Sequence, residues 1–118
     1  MLLFSMRILV CGGRDFTDTE FAYKTLDRVH RERGITCIIE GNARGADRIA
    51  GYWARKNRVD NRKFRADWKR DGKAAGPIRN QRMLDEGKPD AVIAFPGGRG
   101  TADMISRAER SGLPVWAL

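Results

Sequence analysis

Asp90-Ala91-Val92-Ile93-Ala94-Phe95-Pro96-Gly97-Gly98-Arg99-Gly100-Thr101 is the stretch that decides the fold. Its first half is a short, unbroken apolar run, the pattern of a strand buried on both faces. Its second half is a tight glycine loop leading into a helix predicted over residues 101–110 and stopped by Gly112. A buried strand that passes through such a loop into a helix is half of a βαβ unit, from which parallel sheets are built.

The same rhythm extends upstream. Arg7-Ile8-Leu9-Val10-Cys11 reads as a buried strand ended by Gly12-Gly13. Thr17-Asp18-Thr19-Glu20 has capping-box spacing for a helix carrying Ala22, Leu26 and Val29 on one face, with Gly34 as its stop. Residues 35–39 form a second buried strand. Beyond the next loop, Ala46, Ile49, Ala50, Trp53 and Ala54 make a helical stripe. A basic third strand is predicted near residues 62–66, at a sheet edge, followed by a polar loop. Gly76-Pro77 opens another helix, ended by Gly87 and Pro89, and residues 113–118 form a last short strand. The expectation is one α/β domain over residues 1–118, with residues 1–5 as a frayed extension. It is Rossmann-like and doubly wound: about five mostly parallel strands with flanking helices. With strand order 3-2-1-4-5, ligands sit beyond the carboxyl ends of the first and fourth strands, where the order reverses. The loops at that point are Gly12-Gly13-Arg14-Asp15 and the glycine loop quoted above.

Composition narrows the partners. The 118 residues include 23 Lys and Arg against 15 Asp and Glu, a formal charge of +8, which favours anionic ligands. Basic residues crowd positions 55–73, either as a solvated face or as a nucleic-acid contact surface. Cys11 and Cys37 lie in apolar runs, as buried thiols do, and no disulfide scaffold is suggested. No signal peptide or membrane span is recognisable, so a cytoplasmic protein without membrane contact is expected. The lone His30 is assigned to the surface near a helix end. One histidine with two buried cysteines makes no metal site, and no cofactor is expected.

Three loops carry the chemistry. In Pro96-Gly97-Gly98-Arg99-Gly100-Thr101, glycines let backbone N–H groups converge at a helix N-terminus, which is an anion cradle. Thr101 caps the helix or bonds a phosphate oxygen; Arg99 reaches the ligand or solvent. Gly41-Asn42-Ala43-Arg44-Gly45-Ala46-Asp47 is a second strand-to-helix loop. There Asp47 complements the helix dipole or bonds a sugar hydroxyl or a neighbouring loop, and Arg44 pairs with a phosphate or a surface acid. In Gly76-Pro77-Ile78-Arg79-Asn80, Arg79 stands in a first helical turn where a cation is disfavoured, so an anionic partner is expected. A phosphate is the preferred partner and a clamp on an acidic loop residue such as Asp15 the alternative. Asn80 holds an adjacent loop or a ribose.

Taken together, these loops resemble the SLOG superfamily, which includes the LOG phosphoribohydrolases and the DNA-processing protein A family. Residues 95–101 look like the PGGxGT signature of LOG proteins, residues 41–47 are similar to the GxARGxD loop of DNA-processing proteins, and Arg79-Asn80 with Met83 matches an RNxxM-like helix. With Gly12-Gly13-Arg14-Asp15 and Ala66-Asp67-Trp68, the chain looks most like the small YspA-like branch over about residues 6–116. The resemblance implies a nucleotide-derived, phosphate-bearing ligand bound by residues 12–15, 41–45, Asp47, Arg79, Asn80 and 96–101. LOG hydrolases carry a catalytic glutamate where this chain has Met104, which cannot act as acid or base; the adjacent Asp103 is read as a first-turn dipole partner. Catalytic residues are therefore unassigned. An N-glycosidic nucleotide hydrolase would draw on Asp15, Glu40, Asp47, Asp67 or Asp103, and a single-stranded nucleic-acid binder on the basic stretch. A homodimer is implied by resemblance only, with Tyr52, Trp53 and Met83 offering apolar surface.

Overall fold

A computed structural model describes residues 5–118; the first four residues of the expected N-terminal extension lie outside them. The elements are β1 (Met6–Cys11), α1 (Thr19–Arg33), β2 (Ile35–Glu40), α2 (Ala46–Lys56), β3 (Asp60–Lys63), α3 (Trp68–Asp71), a 3-10 turn (Gly72–Ala74), α4 (Ala75–Asp85), β4 (Ala91–Ala94), α5 (Arg99–Arg110) and β5 (Val115–Ala117). The five strands form one sheet in the order β3-β2-β1-β4-β5, and every pair is parallel. This is the expected Rossmann-like α/β architecture.

Alternating strand residues feed two cores. Ile8 and Val10 of β1 and Ile93 of β4 pack with Leu26 of α1 and with Ala50 and Trp53 of α2. Leu9, Cys11 and Val92 point the other way, onto Met83 of α4 and Met104 and Ala108 of α5. A period of two along each strand, between two helical layers, makes the runs apolar throughout. Both cysteines are free and buried.

Several local expectations are corrected. Asp18, not Thr17, caps α1: its carboxylate accepts from Phe21 N. The third strand lies at Asp60–Lys63, short of residues 62–66, because it registers against Cys37 to Glu40 of β2; it remains at the sheet edge. The polar loop after it is helical in α3, where the Asp67 carboxylate caps Arg70 N. His30 is not a free surface side chain. Its Nδ1 accepts from Ile35 N at 3.0 Å and its ring stands edge-on to Trp53, fastening the end of α1 to β2. Trp53 and Met83 are 0% and 2% exposed and belong to the two cores, so neither offers surface to a partner; Tyr52 is exposed. Among the described residues no helix is long and apolar enough to cross a membrane.

Candidate functional site

The sheet order reverses between β1 and β4, and the loops that follow these strands are locked together. Phe95 N donates to the Cys11 carbonyl at 2.9 Å and Gly13 N to the Pro96 carbonyl at 2.8 Å. Phe16 stacks on Phe95, with ring centroids 4.9 Å apart. Gly97 packs so tightly on Thr101 Oγ1 and Gly13 N that a side chain there has no room. Beyond these loops opens a crevice of about 670 Å³. Gly12, Gly13 and Arg14 line it, as do Gly98, Arg99, Gly100, Thr101 and Asp103, with Ala43, Asp47, Trp68, Lys73, Arg79 and Asn80 among the other lining residues. Cys11 lies on its floor, where burial pushes the thiol up to about 12, the Asp47 charge adding to the effect.

The N-terminus of α5 faces this crevice uncapped. Helix formation begins at Arg99, two residues earlier than predicted, with Gly98 as N-cap and no side chain bonding the first turn. The first amide to find a helical carbonyl is Ala102 N, on Gly98 O at 3.0 Å. The N–H groups of Arg99, Gly100 and Thr101 precede it and have no helical acceptor. A Cβ built on Gly98 or Gly100 would meet nothing within 4 Å, so both positions open onto free space. Met104 is fully buried in the core beneath.

The loop between β2 and α2 is built differently, because its polar groups are spent within the protein. Asn42, at φ 57°, donates its N–H to Glu40 Oε1 at 2.5 Å. Ala43 N donates to Asp47 Oδ2 at 3.2 Å, and Ala46 N to the Gly13 carbonyl at 3.2 Å. Gly45 sits at φ 86° against the Gly13 and Arg14 carbonyls, a position that admits only glycine. Asp47 is 7% exposed. Burial pushes its carboxyl up to about 6, the Glu40 charge adding to this, while the Ala43 N–H and the Arg79 guanidinium pull against it. Glu40 is fully buried, and its Oε2 has no hydrogen-bond partner. Burial raises its pKa too, against the pull of the Asn42 N–H.

Arg79 bridges this loop to the crevice; because α4 starts at Ala75, it stands in the second turn rather than in the first, where it was expected. Its Nη1 donates to the Gly41 carbonyl at 2.7 Å and its Nε to Asn80 Oδ1 at 3.1 Å. Burial lowers its pKa and Arg14 contributes to the lowering, with Asp47 opposing. The guanidinium is thus a clamp, although on a carbonyl rather than on Asp15. Asp15 pairs instead with Arg44, at 3.3 Å on the surface. Asn80 holds a neighbouring loop, donating to the Gly100 carbonyl at 3.2 Å and to Asp103 Oδ2 at 3.0 Å. Asp103 lies beyond the first turn of α5 and also accepts from Arg107 Nε at 2.8 Å. Burial opposes its charge, yet the bonds from Arg107 and Asn80 prevail and hold its carboxyl below the usual range.

The predicted residues thus divide. Gly41, Asn42 and Arg44 border a smaller recess of about 320 Å³ beside the crevice, which Arg14, Ala43 and Arg79 share. Asp15, Gly45, Pro96 and Gly97 line neither space. Sequence reasoning missed Arg48, Arg65 and Trp68 as lining residues. Arg48 follows Arg44 by one helical turn, and Trp68 is a large aromatic in a polar stretch, half exposed; both were readable signals. Among the described residues no cluster of three or more His, Cys, Asp or Glu is placed to hold a metal ion.

A family model described as YspA, cpYpsA-related SLOG family matches residues 6–70, from β1 to α3. The Gene 61 protein of Mycobacterium phage D29 is 38% identical over 117 residues, spanning 92% of this chain and 93% of that protein. No solved structure matches the chain.

Proposed function

The chain belongs to the YspA, cpYpsA-related SLOG family, and from that premise we propose that its crevice binds a nucleotide-derived ligand by a phosphate, for sensing or processing. The observation that carries this reading is the uncapped first turn of α5, whose free amides and side-chain-free Gly98 and Gly100 face the 670 Å³ crevice. Such an array is a positive, pre-organised anion seat. The crevice volume suits a small organic ligand. Calorimetric titration with AMP and with adenosine tests the reading. AMP is expected to bind at least tenfold more tightly. Gly100→Val, which fills free space in a helical turn, is expected to remove that advantage while the protein stays folded. Equal affinity for the two compounds sinks the phosphate seat.

One observation favours hydrolysis as a second reading. Asp47 borders the crevice with its carboxyl raised to about 6, close to the working range of a general acid or base. In that case AMP and related nucleotides release free base in the presence of the protein, and Asp47→Asn abolishes release while binding persists. Absence of base release over hours at high protein concentration excludes it.

A further inference from the structure

The recess beside the crevice has a composition that phosphate binding at α5 does not use. Five guanidinium groups border its 320 Å³: Arg14, Arg44, Arg48, Arg65 and Arg79. They come from separate places in the chain: the loops after β1 and β2, the helix α2, the segment after β3, and α4. Among the described residues only Arg44 has a carboxylate in contact, that of Asp15. Arg79 spends two donors on the Gly41 carbonyl and Asn80. The Arg14 guanidinium lies 5.6 Å from the centre of the Trp68 ring. Arg48 and Arg65 are exposed, with no side-chain hydrogen bond or ion pair among the described residues. Like charges gathered at one recess repel each other, and a bound anion would relieve this.

Trp68 joins the two spaces, since its ring borders both the recess and the crevice and is 50% exposed. A half-exposed indole flanked by arginines is a stacking platform for a base. We propose that the recess is a second anion subsite, and that the ligand is a linked nucleotide: one phosphate on the α5 amides, a second phosphoryl group among Arg14, Arg48 and Arg65, and a base on Trp68. This rests on the crevice reading given above. It adds that a mononucleotide fills only part of the site.

Calorimetry with AMP and with the 5′-phosphorylated diadenylate pApA separates the two ideas. With wild-type protein, pApA is expected to bind at least tenfold more tightly than AMP. The double variant Arg48→Gln/Arg65→Gln loses that gain but binds AMP within twofold of wild type. It should fold normally, because neither side chain makes a hydrogen bond or ion pair within the described residues. Trp68→Ala also weakens pApA more than AMP. If AMP binds as expected and pApA binds no better, the recess inference falls and the crevice reading stands. If neither compound binds, both fall together. If a ten-unit oligoadenylate gains a further tenfold or more, with a steep loss on raising salt, the recess is part of a nucleic-acid track, and the discrete linked nucleotide is overturned.

Discussion

The loops that follow β2 and β4 look alike in sequence: each leaves a buried strand, carries glycines and an arginine, and opens a helix. In the fold they are opposites. After β2, Glu40, Asp47, Arg79 and the Gly13 carbonyl take up the polar groups of Gly41, Asn42, Ala43 and Ala46. After β4, the first turn of α5 keeps its amides uncommitted and its glycines bare. Glycine density therefore marks close backbone approach, whereas an anion seat also needs donors that the protein has not used. The first loop supports and the second receives.

That contrast is broken most directly by filling one glycine in each loop. Gly45→Val forces a branched side chain into a positive-φ position against two carbonyls. It is expected to cost about 3 kcal/mol or more, read as the shift in urea midpoint. Gly100→Val is expected to leave the midpoint within about 0.5 kcal/mol of wild type. Similar losses at both positions would erase the distinction between the loops.

Next in size is the buried carboxylate under the supporting loop. The folded protein holds the Asp47 proton up to about pH 6, whereas the ordinary value is 3.8. Between these limits the folded state binds more protons than the unfolded chain. Stability from this group therefore falls as pH rises through the window, and stays level above it. The span corresponds to something on the order of 2–3 kcal/mol. Asp47→Asn keeps an acceptor for Ala43 N and removes the charge. It is expected to melt higher than wild type at pH 7, with the difference shrinking towards zero as pH falls to 4. A constant offset across that range would mean that the carboxylate pays no burial cost.

The smallest of the three effects belongs to Arg79, which serves both loops. Arg79→Ala leaves the buried Gly41 carbonyl without its donor, so the free protein is expected to lose about 1–2 kcal/mol. On top of that, AMP affinity should fall more than adenosine affinity, as measured by calorimetry. A stability loss with equal affinity losses would make Arg79 purely a support.

The sheet order, the four main helices and the crevice between β1 and β4 were legible because each rests on a local pattern: apolar runs, a 3.6-residue stripe and glycine punctuation. The edge strand was misplaced because Asp-Asn-Arg-Lys carries no apolar signal, and only its register with β2 defines it. Arg79 was expected in a first helical turn, but α4 already starts at Ala75 and puts it in the second; its partner is a carbonyl 38 positions away, which no spacing rule encodes. Trp53 and Met83 were offered as partner surface only through the dimer that the resemblance implies; for Trp53 the helical stripe already pointed to the core, where it lies. The arginine recess assembles from five separate segments, so no single stretch announces it.

Cys11 gives the crevice a built-in clock. The residue is 6% exposed, and burial pushes its thiol up to about 12, so almost none is present as the reactive thiolate at neutral pH. Alkylation of the native protein must then wait for the strand end to open, and its rate measures the free energy of that opening. Cys37, buried on the neighbouring strand but away from the crevice lining, is the internal standard. A molecule seated in the crevice should slow labelling at Cys11 and leave Cys37 unchanged. Occupancy becomes a ratio of two rates in one chain, with no tag and no assumption about what the molecule is.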